Sequence, residues 1–383
     1  MIPLSVPNFS GNEWKYVKEC LDTGWVSSAG KYVDLFEQKI AEYTKARYAI
    51  ACINGTAALQ VSLRLVGVQP GDEVIFPAIT FIASVNAATY NGASPVFMDV
   101  DEHLNIDFEE TIDFIKRETE FRNDHTYNKK TGRRITAMMA VHMYGCACWL
   151  DELAPLCEER NICVVEDAAE SLGTSYISGT FSGKHTGTIG KLGCLSFNGN
   201  KIITTGGGGM IITDDEDMAE KAKYLTTQAK DDPVRYVHNE IGYNFRLTNV
   251  QSALGVAQLE QLQMILERKK EIHQHYTSAI MAIDGLSIAP VPEYAENNYW
   301  LNILRIEPDV YGRNQEALMT DFQKNGIQTR PVWYPNHLQK PYRDCQVYGK
   351  DRAETLVETS LCLPSSSQMT DEDIVRIMDC LYG

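Results

Sequence analysis

The segment ICVVEDAAES, residues 162–171, sets an apolar run, Ile162 to Val165, directly before two carboxylates, Glu166 and Asp167, and a turn of small residues. An apolar run without polar alternation reads as a strand buried on both faces, the habit of parallel sheets covered by helices. Asp167 at its end either caps the turn that follows or needs a cationic partner, because an isolated carboxylate in apolar surroundings is costly.

Working outward, similar short runs recur at 48–53, 73–77, 94–100, 135–142, 192–197 and 209–214. Helical patterns fall between them, at 56–66, 80–91 and 149–160. This alternation predicts an α/β fold with a large, mainly parallel sheet. A long helical pattern at 248–282, with Thr248 as cap, leads out of it, and shorter segments after about residue 283 predict a smaller C-terminal α/β domain. The expected division is 1–265 and 266–383. The polar segment FRNDHTYNKKTGRR, 121–134, reads as an inserted loop or hairpin.

Composition excludes several function classes. With 35 basic and 51 acidic residues, the net charge of −16 repels nucleic-acid phosphates and anionic lipid. The sequence contains no long uncharged apolar span and no basic-then-apolar leader, so a cytoplasmic protein is expected. The ten cysteines are scattered through apolar runs without the spacing of a metal knuckle, so no metal site is expected and the thiols read as buried.

Ligands of open parallel sheets bind beyond the carboxyl ends of the strands. Three ends carry chemistry. NGTAAL, 54–59, is a small-residue turn opening a helix, either an ordinary connection or a cup for phosphate. Asp167 ends the second. NGNKIITTGGGG, 198–209, places Lys201 between a strand and a glycine run that lets backbone approach a ligand closely. A lone loop lysine is ordinarily solvated. A lysine amine, a carboxylate and a phosphate cup at neighbouring strand ends are together the parts that pyridoxal 5′-phosphate requires. Nucleotide-loop readings fit worse, since GTIGKLG (187–193) and GTFSGKH (179–185) lack the dinucleotide and Walker spacings.

VVEDAAESLG, SFNGNKIITTGGGGMIIT, IGYNFRLTNVQSALGVAQL and NGTAAL, in this order-specific combination over nearly the whole chain, resemble the DegT/DnrJ/EryC/StrS family of sugar-nucleotide aminotransferases. The resemblance implies the pyridoxal phosphate-dependent transferase fold of type I, like aspartate aminotransferase. It implies that Lys201 binds the cofactor covalently and then moves the proton, that Asp167 keeps the pyridine nitrogen protonated, and that Glu170 bonds the ring hydroxyl. Gly55, Thr56 and Ser196 match the phosphate cup, Phe81 the aromatic stacked on the ring, and Asn244 an asparagine that reaches the phosphate of the neighbouring subunit. A homodimer with composite sites follows. Ser27, Ser28, His142, Arg330, Tyr334 and His337 lie where relatives contact the nucleotide-sugar or the dimer partner, with His142 equally readable as a structural histidine. Gly207 departs from the glutamate that relatives usually carry in the glycine run.

The implied reaction moves an amino group from L-glutamate to a keto-sugar. Within the family the sequence looks most like enzymes aminating C4 of a UDP-linked 4-keto-6-deoxy-N-acetylhexosamine, with GDP-4-keto-6-deoxymannose and GDP-perosamine synthesis as the alternative. A cofactor-binding regulator without turnover and a nicotinamide-dependent sugar oxidoreductase stand as readings of other classes.

Overall fold

The structure is a computed structural model that describes residues 1–382. Its main sheet has ten strands. Eight lie in the spatial order Tyr48–Cys52, Gly209–Thr213, Leu192–Ser196, Cys163–Asp167, Arg134–Val141, Glu73–Pro77, Ser94–Met98 and Gln346–Tyr348. All neighbours are parallel except for Gly209–Thr213, which runs antiparallel to both of its own. Every residue of Glu73–Pro77 and of Gly209–Thr213 is buried, which explains why these strands read as continuous apolar runs.

The helices on either face start where their capping residues stand. Asn54 accepts the Ala57 amide at the head of Gly55–Leu65, Asp215 that of Met218 before Glu216–Thr226, and Thr248 that of Gln251 before Asn249–Leu259. The long pattern at 248–282 is two helices, Asn249–Leu259 and Leu262–Ile280, broken at Glu260 and Gln261. Periodicity alone did not reveal the break, because both helices keep an apolar face: Val256 joins the main core, Ile272 and Tyr276 the second.

The polar insertion is a hairpin. Thr119–Arg122 pairs with His125–Asn128 through Asn123 and Asp124, both at positive φ, and the second strand pairs with the start of Arg134–Val141. After the long helix the chain forms an antiparallel four-stranded sheet in the order Leu286–Ile288, Asn302–Ile306, Ser360–Leu363 and Arg330–Pro331. Leu262–Ile280, Gln315–Lys324 and Asp371–Tyr382 cover it over a core containing Tyr276, Leu304, Phe322, Leu361 and Ile377.

The two units exchange chain at both ends. Gln346–Tyr348 returns to pair with Ser94–Met98 at the edge of the main sheet, so residues 266–383 do not form a self-contained body. Met1 to Val6 cross the other way, with Ile2 paired to Gly326 and Gln328, and Leu4 to Ser365. Among the described residues, no helix is long and apolar enough to cross a membrane. All ten cysteines are free, and six of them are buried.

Candidate active site

The carboxyl ends of the central strands converge with the loop that carries Lys201. At the head of Gly55–Leu65, the Ala57 amide is taken by Asn54. The Gly55 and Thr56 amides lie in the first helical turn, where no intrahelical acceptor exists. A Cβ on Gly55 would lie 2.9 Å from the Ser196 Cβ, and one on Gly209 would lie 2.4 Å from the Asn54 carbonyl. Glycine at both positions therefore brings the turn, Ser196 and the strand after the glycine run into direct contact. The result is a small cradle of donors at a helix N-terminus, which suits a phosphate.

Lys201 lies on the loop that follows Ser196, mostly buried at 13% side-chain exposure. Its Nζ is 3.3 Å from Glu170 Oε1 and 4.0 Å from the centroid of the Trp300 ring. The other oxygen of Glu170 accepts the Tyr144 amide at 2.8 Å. Burial raises the Glu170 carboxyl above its ordinary range, against the pull of Lys201 and that amide. Asp167 is buried nearby, with Oδ2 accepting the Ser84 hydroxyl at 2.5 Å and Oδ1 the Ala169 amide at 3.1 Å. A lysine is thus held in low dielectric beside one carboxylate, with a second fixed on the same strand end.

The loop is anchored from the small-domain side. The Asn200 carbonyl accepts the Trp300 indole N–H at 2.7 Å and the Ser5 hydroxyl at 3.0 Å. Asn298, fully buried, donates to the carbonyls of Glu170 and Leu172 and accepts the Trp300 amide. Tyr144 stacks between Trp300 and Trp333 with its backbone at φ 52°, and Trp333 is 5.2 Å from Phe81. Ser84, Tyr144, Asn298, Trp300 and Trp333 escaped the sequence reading. Each sits in an ordinary-looking apolar or polar context, and the signal that could have marked them is the density of aromatics in NNYW and PVWY.

Other expected residues fall as follows. Phe81 is half exposed at the start of Ile82–Tyr90 and opens onto the site through Trp333. His142 is fully buried, with one ring nitrogen 2.9 Å from Glu166 and the other accepting the Cys148 amide. Burial alone would raise Glu166, but His142 and the amides of Gly187 and Gly190 hold it below its ordinary range. Both His142 nitrogens are committed, so the expected substrate contact gives way to a structural pair. His337 is likewise buried, bonded to Glu354 at 3.1 Å and packed near Phe97. Ser27, Arg330, Tyr334 and Asn244 are exposed and Ser28 is half-buried; none of the five bonds to Lys201, Glu170 or Asp167. Gly207 faces open space, so the glutamate of relatives would meet no obstacle there.

A profile of the DegT/DnrJ/EryC1/StrS aminotransferase family matches residues 7–382. The chain belongs to this family. Among relatives, it is 36% identical to the GDP-perosamine synthase of Vibrio cholerae over 388 residues, 100% of this chain and 98% of that one. The aminotransferase TlmJ from Streptoalloteichus hindustanus superposes with a TM-score of 0.88 at 28% identity, covering 100% of this chain and 98% of that one. DesI, solved in the presence of its TDP-sugar product, gives 0.87 at 26% identity, covering 99% and 92%. The protein is a pyridoxal phosphate-dependent sugar aminotransferase of fold type I, taking a nucleotide-sugar and an amino donor. The regulator and oxidoreductase readings lapse.

The site fits this cofactor on its own geometry. Pyridoxal phosphate supplies an aldehyde that takes an amine and a ring that accepts electrons. The cradle of Gly55, Thr56 and Ser196 would hold the phosphate, and Asp167 would hold a proton on the ring nitrogen. Lys201, the amine that faces Glu170, would move the substrate proton, and the surrounding burial excludes water from that transfer.

Proposed function

We propose that the enzyme transfers an amino group from L-glutamate to C4 of GDP-4-keto-6-deoxymannose, the GDP-perosamine-forming reaction. The reading is carried by the likeness to the GDP-perosamine synthase of Vibrio cholerae, which extends along both whole chains. It displaces the UDP-linked N-acetylhexosamine favoured from sequence motifs, because the likeness to GDP-perosamine synthases, 35–36% identical along nearly the whole chain, supports the alternative better. Lys201 carries the cofactor and shuttles the proton, Asp167 sustains the electron-accepting ring, and Gly55, Thr56, Ser196 and Glu170 fix phosphate and ring hydroxyl.

The working unit in this reading is a homodimer. Asn244 is exposed and makes no hydrogen bond to Lys201 of its own chain, and the nearby Tyr236 and Ile241 expose large apolar surfaces that a second copy would cover. Purified protein incubated with L-glutamate and either the GDP-linked or the UDP-linked 4-keto-sugar tests the substrate. Amination of the GDP-sugar with at least about tenfold preference is the expected result. Preferred amination of the UDP-sugar reverses the assignment.

A further inference from the structure

Asp167 is buried at the end of its strand, and among the described residues no lysine, arginine or histidine forms an ion pair with it; Lys201 is paired with Glu170. A buried carboxylate without a counter-ion depends on its hydrogen-bond donors. It has two, the Ala169 amide on Oδ1 and the Ser84 hydroxyl on Oδ2. The first is local, two residues along the same turn. The second crosses from the helix Ile82–Tyr90, 83 positions earlier in the chain. Its length of 2.5 Å falls in the range of roughly 2.5–2.7 Å for a hydroxyl donating to a carboxylate.

A serine hydroxyl has a single proton to give. Given to Asp167, it leaves the Ser84 oxygen as an acceptor, and the Thr80 hydroxyl stands 3.2 Å from it. The other acceptor near Thr80, the Phe81 carbonyl, lies farther off at 3.5 Å, so the bonds run in the order Thr80 to Ser84 to Asp167. Thr80, Ser84 and Asp167 are all buried, so water does not compete for this chain. The segment that carries the two hydroxyls is held from a distant part of the sequence. Asn336, fully buried, donates its backbone amide to the Ala78 carbonyl at 2.7 Å and its side chain to the Thr80 carbonyl at 2.8 Å. Tyr342 donates to Asn86, two residues beyond Ser84. Ser84 is therefore a donor fixed in place on a helix that the C-terminal part of the chain clasps.

We infer that Ser84, backed by Thr80, is a positioning residue: its hydroxyl fixes the rotation of the Asp167 carboxylate, which then offers its remaining acceptor capacity to the cofactor's ring nitrogen in one orientation. This rests on the reading of Asp167 as the carboxylate that holds the ring proton. Ser84 acts through Asp167. Without the hydroxyl, Asp167 keeps only its local donor, and the terminal torsion of an aspartate is soft. The ring nitrogen then loses part of its protonation, and with it part of the ring's capacity to accept electrons. Such a loss falls on the chemical step and leaves the binding of the amino donor in place.

The test uses enzyme loaded with pyridoxal phosphate labelled at its ring nitrogen, whose NMR resonance reports the protonation of that atom. Ser84→Ala, Ser84→Thr, Thr80→Val and Asp167→Asn are compared with wild type, and thermal unfolding of each variant checks that it is folded. Ser84→Ala is expected to move the resonance toward that of the neutral ring, to lower kcat with L-glutamate at least about tenfold and to change KM less than about twofold. Ser84→Thr, which keeps a hydroxyl, restores resonance and kcat, and Thr80→Val gives a smaller shift in the same direction as Ser84→Ala. A wild-type resonance in Ser84→Ala, where Asp167→Asn does move it, overturns the positioning role and leaves the reading of Asp167 standing. An unmoved resonance in Asp167→Asn overturns that reading and the inference with it. Equal displacement in folded Ser84→Ala and Ser84→Thr shows that side-chain packing, not the hydroxyl, governs the ring, and also overturns the inference.

Discussion

Two buried lysines meet Trp300, one at its ring and one at its backbone carbonyl, and they are buried differently. Lys201 lies against the ring face with Glu170 as a carboxylate partner. Lys269, 3% exposed on the helix Leu262–Ile280, meets only carbonyls, donating to those of Trp300 and Ser365 at 3.0 and 2.6 Å. Without a counter-ion, burial pushes its amine down to about 7. The difference separates a reactive group from a fastening. Lys201 sits on a loop at the carboxyl end of a strand, with a carboxylate to exchange a proton with. Lys269 sits in packed interior and joins the helix to two segments of the small domain.

The largest expected effect removes the first of the pair. Lys201→Ala should lower turnover by at least about 10²–10⁴-fold, the scale of general acid–base catalysis, and abolish borohydride trapping of cofactor on the protein. Circular dichroism and thermal unfolding should change little, because Lys201 lies on a loop outside the core clusters. Retention of trapped cofactor by the variant would show that another amine, Lys269 included, carries the chemistry.

Lys269 should instead register in stability, with a definite sign. Its folded value of about 7 lies below the ordinary lysine range, so above that pH the unfolded chain holds a proton that the folded chain has released. The folded state is therefore penalised most at and below neutrality, and stability gains from this lysine as pH rises. Urea unfolding between pH 6.5 and about 8.5, below the ordinary thiol range, should show wild type gaining stability relative to Lys269→Met. Parallel curves for the two proteins would show that Lys269 stays charged when folded.

What the chain disclosed in advance follows the same division. The seven strands named from apolar runs all exist, ending within a residue or two of their expected limits, because strands buried on both faces leave an unbroken apolar record. Asp167, Lys201 and the NGT turn were legible because a polar group at the end of such a strand is conspicuous. The small-domain side was not. Trp300 and Asn298 act through contacts more than 90 residues away in sequence, with Asn200 and with Glu170 and Leu172, and no periodicity encodes a contact of that span. His142 illustrates the converse: a histidine at a strand end read equally as functional or structural until Glu166 and the Cys148 amide were seen to occupy it.

The smallest effects divide the glycine run itself. Gly209 has the Asn54 carbonyl 2.4 Å from where its Cβ would be, and backbone cannot swing aside as a side chain can. Gly209→Ala should cost about 1–3 kcal/mol, the scale of overpacking, and should weaken cofactor binding by displacing the Asn54–Gly55 turn. Gly207 is two residues away, has no atom within 4 Å of its Cβ position and does not adopt positive φ. Its carbonyl accepts the Gln251 side-chain Nε2–H at 3.1 Å, a bond that the backbone of any residue can make. Gly207→Glu, which restores the usual residue of relatives, should therefore shift stability by less than about 0.5 kcal/mol. Equilibrium unfolding of both variants checks the pair. A large loss in Gly207→Glu would mean that the whole run, and not Gly209 alone, is fitted to backbone approach around Lys201.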